Sequence, residues 1–134
     1  MSVAVAHQVS ATSRKALAQA AREARYRDTT LAVLHVVESI DPDKAEAYRL
    51  GISDEIEKVV DGALEGTVDW ELHLATAGSD LADTVLELAD EVGAEILVIG
   101  ARRRSPVGKA LMGSVAQSVI LEARMPVLVV KSDR

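Results

Sequence analysis

Gly100, Arg102, Arg103, Gly113 and Ser114 fall within one stretch, EILVIGARRRSPVGKALMGSVAQSVI (Glu95–Ile120). An apolar run ends there in a glycine, arginines follow, and two further glycines and a serine come before the next apolar run. Guanidinium groups pair strongly with phosphate. A glycine–serine pair opening a helix offers free amides and the positive end of the helix dipole. The chemistry on offer is the binding of an anion. A P-loop is excluded, because Gly108-Lys109 is followed by Ala110 instead of Ser or Thr, and Arg103 stands where its first glycine belongs. A nucleic-acid loop of Arg102, Arg103, Arg104 and Lys109 runs against the formal net charge of −6 and the 2% aromatic content, which leave a polyanion repelled and few bases stacked. Two readings stay open on spacing alone. In one, Gly100 turns the chain sharply off a strand and Gly113–Ser114 starts a helix at a split phosphate site. In the other, Gly113–Ser114 is an ordinary helix cap and the arginines are solvated.

Other reactive side chains are sparse. Cysteine is absent, so disulfides and thiolate metal sites are excluded. His7, His35 and His73 are the only imidazoles; His7 and His35 fall near the ends of strand-like runs and read as satisfied structural histidines, with no partner at zinc-ligand spacing. Ser10, Ser13 and Ser114 lack the His–Asp neighbours of a nucleophile, so no catalytic residue is expected.

These residues need a scaffold, and the pattern supplies one. SVAVAH (Ser2–His7) reads as a buried strand, and Ala16, Leu17, Ala20, Ala21 and Ala24 then recur at helical spacing behind a Ser10 or Ser13 cap. Thr29–Val37 is a second strand. Glu38–Asp54, broken by Pro42 and Gly51, reads as a loop with a helical turn or two, and a helix is expected from a Ser53 cap through Leu64. Val68–Leu74 alternates strictly and suits a sheet edge. Leu81, Val85, Leu88 and Val92 mark a helix stopped by Gly93. Ala94–Gly100 is an apolar strand, Ser114–Ala123 a helix and Pro126–Val130 the last strand. The expectation is one α/β domain over residues 1–134, a parallel sheet with helices on both faces. Its ligand crevice would lie beyond the carboxyl ends of the strands, at Ala6–Ser10, His35–Glu38 and Gly100 onward. No apolar run reaches membrane-spanning length and the N-terminus lacks a basic leader, so a cytoplasmic protein is expected.

The same residues resemble the universal stress protein family. Its signature of Gly, two residues, Gly, nine residues, Gly-Ser/Thr is matched by Gly100, Gly113 and Ser114; GSVAQSVI followed by MPVLVVK, and SRKALAQAA and LHVVES earlier, are also similar to it. The resemblance covers essentially the whole chain and implies a doubly wound, five-stranded parallel sheet in the order 3-2-1-4-5. It further implies an adenine nucleotide, ATP or another, with Mg2+ if bound. With Gly100 at the turn into the nucleotide site, the phosphates would be held by Arg102, Arg103 and the Gly113–Val115 amides, with the Ser114 hydroxyl, and the base would be met by Gln8 and Val36.

This chain departs from the family at two positions. Arg103 replaces the second glycine, and Gln8 stands where nucleotide-binding members carry Asp. Arg103 would be costly if that position needed positive φ. The alternative is therefore a dimeric interaction protein of the same family that does not bind nucleotide. Enzymatic activity would be at most a slow ATPase. The apolar PVLVV strand at a sheet edge, with the family resemblance, implies a homodimer through the C-terminal strand.

Overall fold

A computed structural model describes residues 1–8, 10–64, 66–78, 80–104, 109–111 and 113–132, without the side chains of residues 103–104 and 109–111. In chain order the elements are β1 (Ser2–His7), α1 (Ala11–Tyr26), β2 (Thr30–Val37), α2 (Ala45–Ala63), β3 (Trp70–Thr76), α3 (Leu81–Glu91), β4 (Ala94–Arg104), β5 (Lys109–Leu111), α4 (Ser114–Glu122) and β6 (Val127–Ser132). The five long strands β3, β2, β1, β4 and β6 run parallel, with β3 at the β2 edge. The long strands thus run β3-β2-β1-β4-β6, which is the expected 3-2-1-4-5 order with the last strand counted fifth.

Alternation along the strands divides the core. Val3, Val5, Leu31, Val33, Ile96 and Val98 point to the face covered by α1 and α2. Ala4, Ala32, Leu34, Leu97 and Ile99 point to the face covered by α3 and α4. The helix α1 buries Ala16, Ala20, Ala21 and Ala24 with Leu17, a stripe of small residues that lets its backbone approach the sheet closely. Ser10 caps it, its hydroxyl accepting from the Ser13 amide at 3.1 Å. Gly93, at φ +65°, ends α3 in the left-handed conformation that favours glycine.

Three expectations are corrected. The helix expected from Ser53 begins eight residues earlier, at Ala45. Asp41 accepts from the Asp43 amide and Pro42 stands at the first position of a 3-10 turn (Pro42–Lys44) that runs straight into α2. The proline is thus a helix starter, whose missing N–H is no loss at that position. Second, Gly100 does not turn the chain: β4 continues through Arg104 and pairs back, antiparallel, with β5, Arg103 opposite Ala110. Arg103 therefore sits in extended backbone. Among the described residues only Asp28 and Gly93 have positive φ, so the conformational cost of an arginine there does not arise. Third, the edge strand β3 spans Trp70–Thr76, two residues later than expected.

Arg102 pairs with Ser132 of β6 on one side and Leu111 of β5 on the other. The short strand β5 therefore lies on the β1 side of β4, beyond the point where β1 ends. That is where a doubly wound sheet reverses its winding.

Candidate functional site

A cleft of about 360 Å³ opens at the carboxyl ends of β1 and β4. One wall is apolar, with Leu34 and Val36 of β2, Leu81 and Val85 of α3, Ile99 of β4, and Val115 and Val119 of α4. The opposite wall is polar, built from Gln8, Ser10, Thr12 and Ser13 at the start of α1 and from Arg102. Gly100 and Gly113 also line it, with Ala6, His7, Ala101 and Ala116. A larger cavity, about 530 Å³, lies around Arg25, Asp28 and Thr67 before the amino ends of β2 and β3. It lacks an apolar wall, and Arg25 is committed to the Thr67 carbonyl at 2.9 Å; ligands of doubly wound sheets sit at the other end.

Two helices begin at the cleft. The α1 start is fixed from within, since the Gln8 amide donates to Ser13 Oγ at 2.8 Å and Thr12 Oγ1 lies 2.8 Å from Ser132 Oγ. The α4 start is capped by Gly113, with no side-chain hydrogen bond to its first turn. Gly100 holds the two sides together. A Cβ built on it would come within 2.8 Å of Thr12 Cγ2 and 3.1 Å of the Thr12 carbonyl oxygen. This glycine is needed for close approach of α1 to β4, not for a turn.

Of the expected site residues, Gln8, Val36, Gly100, Arg102, Gly113 and Val115 line one cleft. Ser114 is exposed, follows the Gly113 cap as the first residue of α4, and is not among the lining residues. The Arg103 side chain lies outside the described residues. Thr12, Ser13, Leu34, Leu81, Val85, Ile99 and Val119 were not expected at the site; on sequence their apolar members read as core.

His7 lines the cleft and is opposed to His35 across the β1–β2 ladder. Their Nδ1 atoms are 2.9 Å apart, the ring centroids 5.0 Å, and His35 Nε2 meets the Tyr48 hydroxyl of α2 at 2.7 Å. One proton bridges the two Nδ1 atoms, one ring donating and the other accepting. Both imidazoles are buried. His35 is the satisfied structural histidine expected, whereas His7 Nε2 is buried without a partner. Burial, then the neighbouring His35 and then Arg14, push the His7 imidazole down from its ordinary 6.5 to about 4. Burial also lowers His35, opposed by Glu55 and by its hydrogen bond with His7. Both rings are thus neutral, and no group of His, Asp and Glu among the described residues could hold a metal.

Comparison with known proteins decides the lineage. The model of the universal stress protein family matches residues 1–131. The chain belongs to that family. A universal stress protein of Mycolicibacterium smegmatis is 36% identical over 132 residues, 96% of each chain. Among solved structures, the universal stress protein from Archaeoglobus fulgidus in complex with dAMP superposes with a TM-score of 0.75 at 28% identity, covering 98% of both chains. A universal stress protein in complex with cAMP superposes at 0.73 and 25% identity, covering 97% of this chain and 96% of the other. Among the described residues no helix is long and apolar enough to cross a membrane.

Proposed function

We propose that this universal stress protein is a cytoplasmic regulatory module that binds an adenine nucleotide in the cleft beyond β1 and β4. The observation that carries this reading is the composition of the cleft. In one cleft of about 360 Å³ an apolar wall is combined with a polar wall where two helix starts and Arg102 converge. In this reading Val36, Leu34 and Val115 sandwich the base, and Gln8, which can donate and accept, reads its edge. The amides of Gly113 to Val115 and the guanidinium of Arg102 take the phosphate, with Gly100 keeping α1 close. Arg103, whose backbone lies opposite Ala110, is the second arginine assigned to the phosphate, and the Ser114 hydroxyl acts from outside the lining. The nucleotide complexes of two relatives of the same fold support the reading.

Calorimetric titration of nucleotide-stripped protein with AMP, ATP and cyclic AMP tests it, and micromolar binding of at least one is expected. Arg102→Ala should weaken that binding by about 1–3 kcal/mol, the worth of a charge-assisted hydrogen bond, or roughly 5- to 150-fold. Unchanged affinity would remove Arg102 from the site. No heat at millimolar nucleotide would instead favour the second reading, an interaction protein without a nucleotide, for which Gln8 in place of an acid is the supporting observation.

Both readings include a homodimer through β6. Among the described residues this strand pairs with β4 alone, and Val127 to Val130 are half-buried along its open edge. The Leu97 amide donates to the Pro126 carbonyl at 3.0 Å. In a parallel ladder alternate residues serve the same neighbour, which turns the Val127 and Val129 amides to the open side. Val129→Pro removes one outward donor and leaves the β4 ladder intact, as edge prolines do. Analytical ultracentrifugation should then show a monomer with melting behaviour close to that of the unsubstituted monomer unit; a persisting dimer would place the interface elsewhere.

A further inference from the structure

Adenine di- and triphosphates usually travel with Mg2+, so a cleft that binds them either accommodates that ion or excludes it. Mg2+ demands near-octahedral oxygen ligation and is ordinarily held through one or two carboxylates. None of the described side chains lining the cleft is Asp or Glu, and the whole span from Ala101 to Gly113 contains neither. The acid next to the lining, Asp80, is spent on capping α3, where its Oδ1 accepts from the amides of Ala82 at 2.9 Å and Asp83 at 3.2 Å. The lining hydroxyls are neutral and each already holds a hydrogen bond. Ser10 Oγ accepts from the Ser13 amide, Ser13 Oγ from the Gln8 amide, and Thr12 Oγ1 meets Ser132 Oγ. The ion does not fit these residues.

The electrostatics run the other way. Neither α1 nor α4 has an acid in its first turn, whereas α3, capped by Asp80, also carries Asp83 there. Each helix start at the cleft therefore presents about half a positive charge uncompensated, and Arg102 adds a full one. At the family's acidic position Gln8 is neutral. The described lining offers an anion amides and a guanidinium, and offers a hard cation no free carboxylate.

We infer, resting on the nucleotide reading of the cleft, that the nucleotide is taken as the metal-free anion: the protein's own N–H groups and Arg102 neutralise the phosphate, and Mg2+ competes with them for the phosphate oxygens. The test is calorimetric titration of the full chain with AMP and with ATP, each in saturating Mg2+ and in EDTA at equal ionic strength. ATP affinity should fall about three- to tenfold when Mg2+ halves the nucleotide's charge, while AMP affinity should stay within about twofold. Arg102→Ala should weaken both nucleotides and leave ATP still no tighter with Mg2+. AMP binding accompanied by tighter ATP binding in Mg2+ would overturn the metal-free site and leave the nucleotide reading standing. Failure of both nucleotides in both buffers would overturn the two together.

Discussion

Gly100→Val is expected to destabilise the protein by about 2–4 kcal/mol and to abolish nucleotide binding. The added Cβ would lie 2.8 Å from Thr12 Cγ2 and 3.1 Å from the Thr12 carbonyl. A side chain could swing away from the first contact, but the second is with the backbone of the first turn of α1. Relief requires α1 to move off β4. That helix is anchored by packing Ala16, Leu17, Ala20, Ala21 and Ala24 at no remaining exposure, so the movement opens a core that is otherwise filled. Overpacking of this kind costs about 1–3 kcal/mol for one or two added carbons, and more when backbone must shift. The same movement carries Ser10 and Ser13 away from Gln8 and breaks the Thr12–Ser132 contact between α1 and β6. Urea denaturation and nucleotide titration of Gly100→Ala and Gly100→Val should therefore show graded losses, the alanine about 1–2 kcal/mol and the valine roughly double. Wild-type stability in the valine variant would mean that α1 yields freely, and that the first glycine of the motif serves something other than close packing.

This glycine also shows how far the sequence could be read. Its position in the motif was legible, and so was the sheet, because buried strands such as AEILVIG and helix faces such as Ala16–Leu17–Ala20 differ plainly in period. Its role was not. Close approach between Gly100 and Thr12 depends on how α1 is seated, and no local pattern encodes that. The continuation of β4 through Arg102 to Arg104 was hidden for a related reason. Its pairing with Lys109–Leu111 is made by backbone groups, which leave no mark on side-chain periodicity, and a run of arginines reads as loop. The apolar wall of the cleft was illegible in a different way. Leu81, Val85 and Val119 obey the periodicity of a core-facing helix stripe, and a stripe that covers a sheet looks the same as one whose last turn overhangs a ligand. Gly113 stands out on spacing alone, as the start of a helix at a candidate anion site, whereas Gln8 and Val36 take their roles from the family resemblance. The start of α2 is ambiguous in sequence because a proline such as Pro42 can interrupt a helix or initiate one, and only its Asp41 neighbour distinguishes the two.

The opposed histidines follow from register alone, since His7 and His35 meet only when β1 and β2 align as they do, and they set the second large effect, a loss of stability in mild acid. In the unfolded chain each imidazole titrates near 6.5. In the folded protein His7 is pushed down to about 4 and His35 is also lowered. A depressed imidazole favours the folded state while both states are neutral, so the full contribution is present above pH 6.5. As pH falls below 6.5 the unfolded chain takes up the proton first, and stability drops by about 1.4 kcal/mol per unit for each such group until the folded protein also titrates. For His7 the window runs from 6.5 to about 4 and the loss is on the order of 3 kcal/mol. The cause is structural. A further proton would place a charge in a buried pair whose bridge already holds one proton, beside the Arg14 guanidinium, and Glu55, which favours the charge on His35, is itself paired with Arg14 at 3.3 Å. Urea midpoints for the wild type and for His7→Leu at pH 7, 6, 5 and 4.5 isolate this contribution, because every carboxylate is common to both proteins. His7→Leu should be less stable at pH 7, where it leaves His35 Nδ1 without a partner, and its curve should fall less steeply with acid, closing on or crossing the wild type below pH 5. Parallel curves across that range would mean that the buried pair accepts its proton as readily as the unfolded chain does, and that its burial carries no linkage to pH.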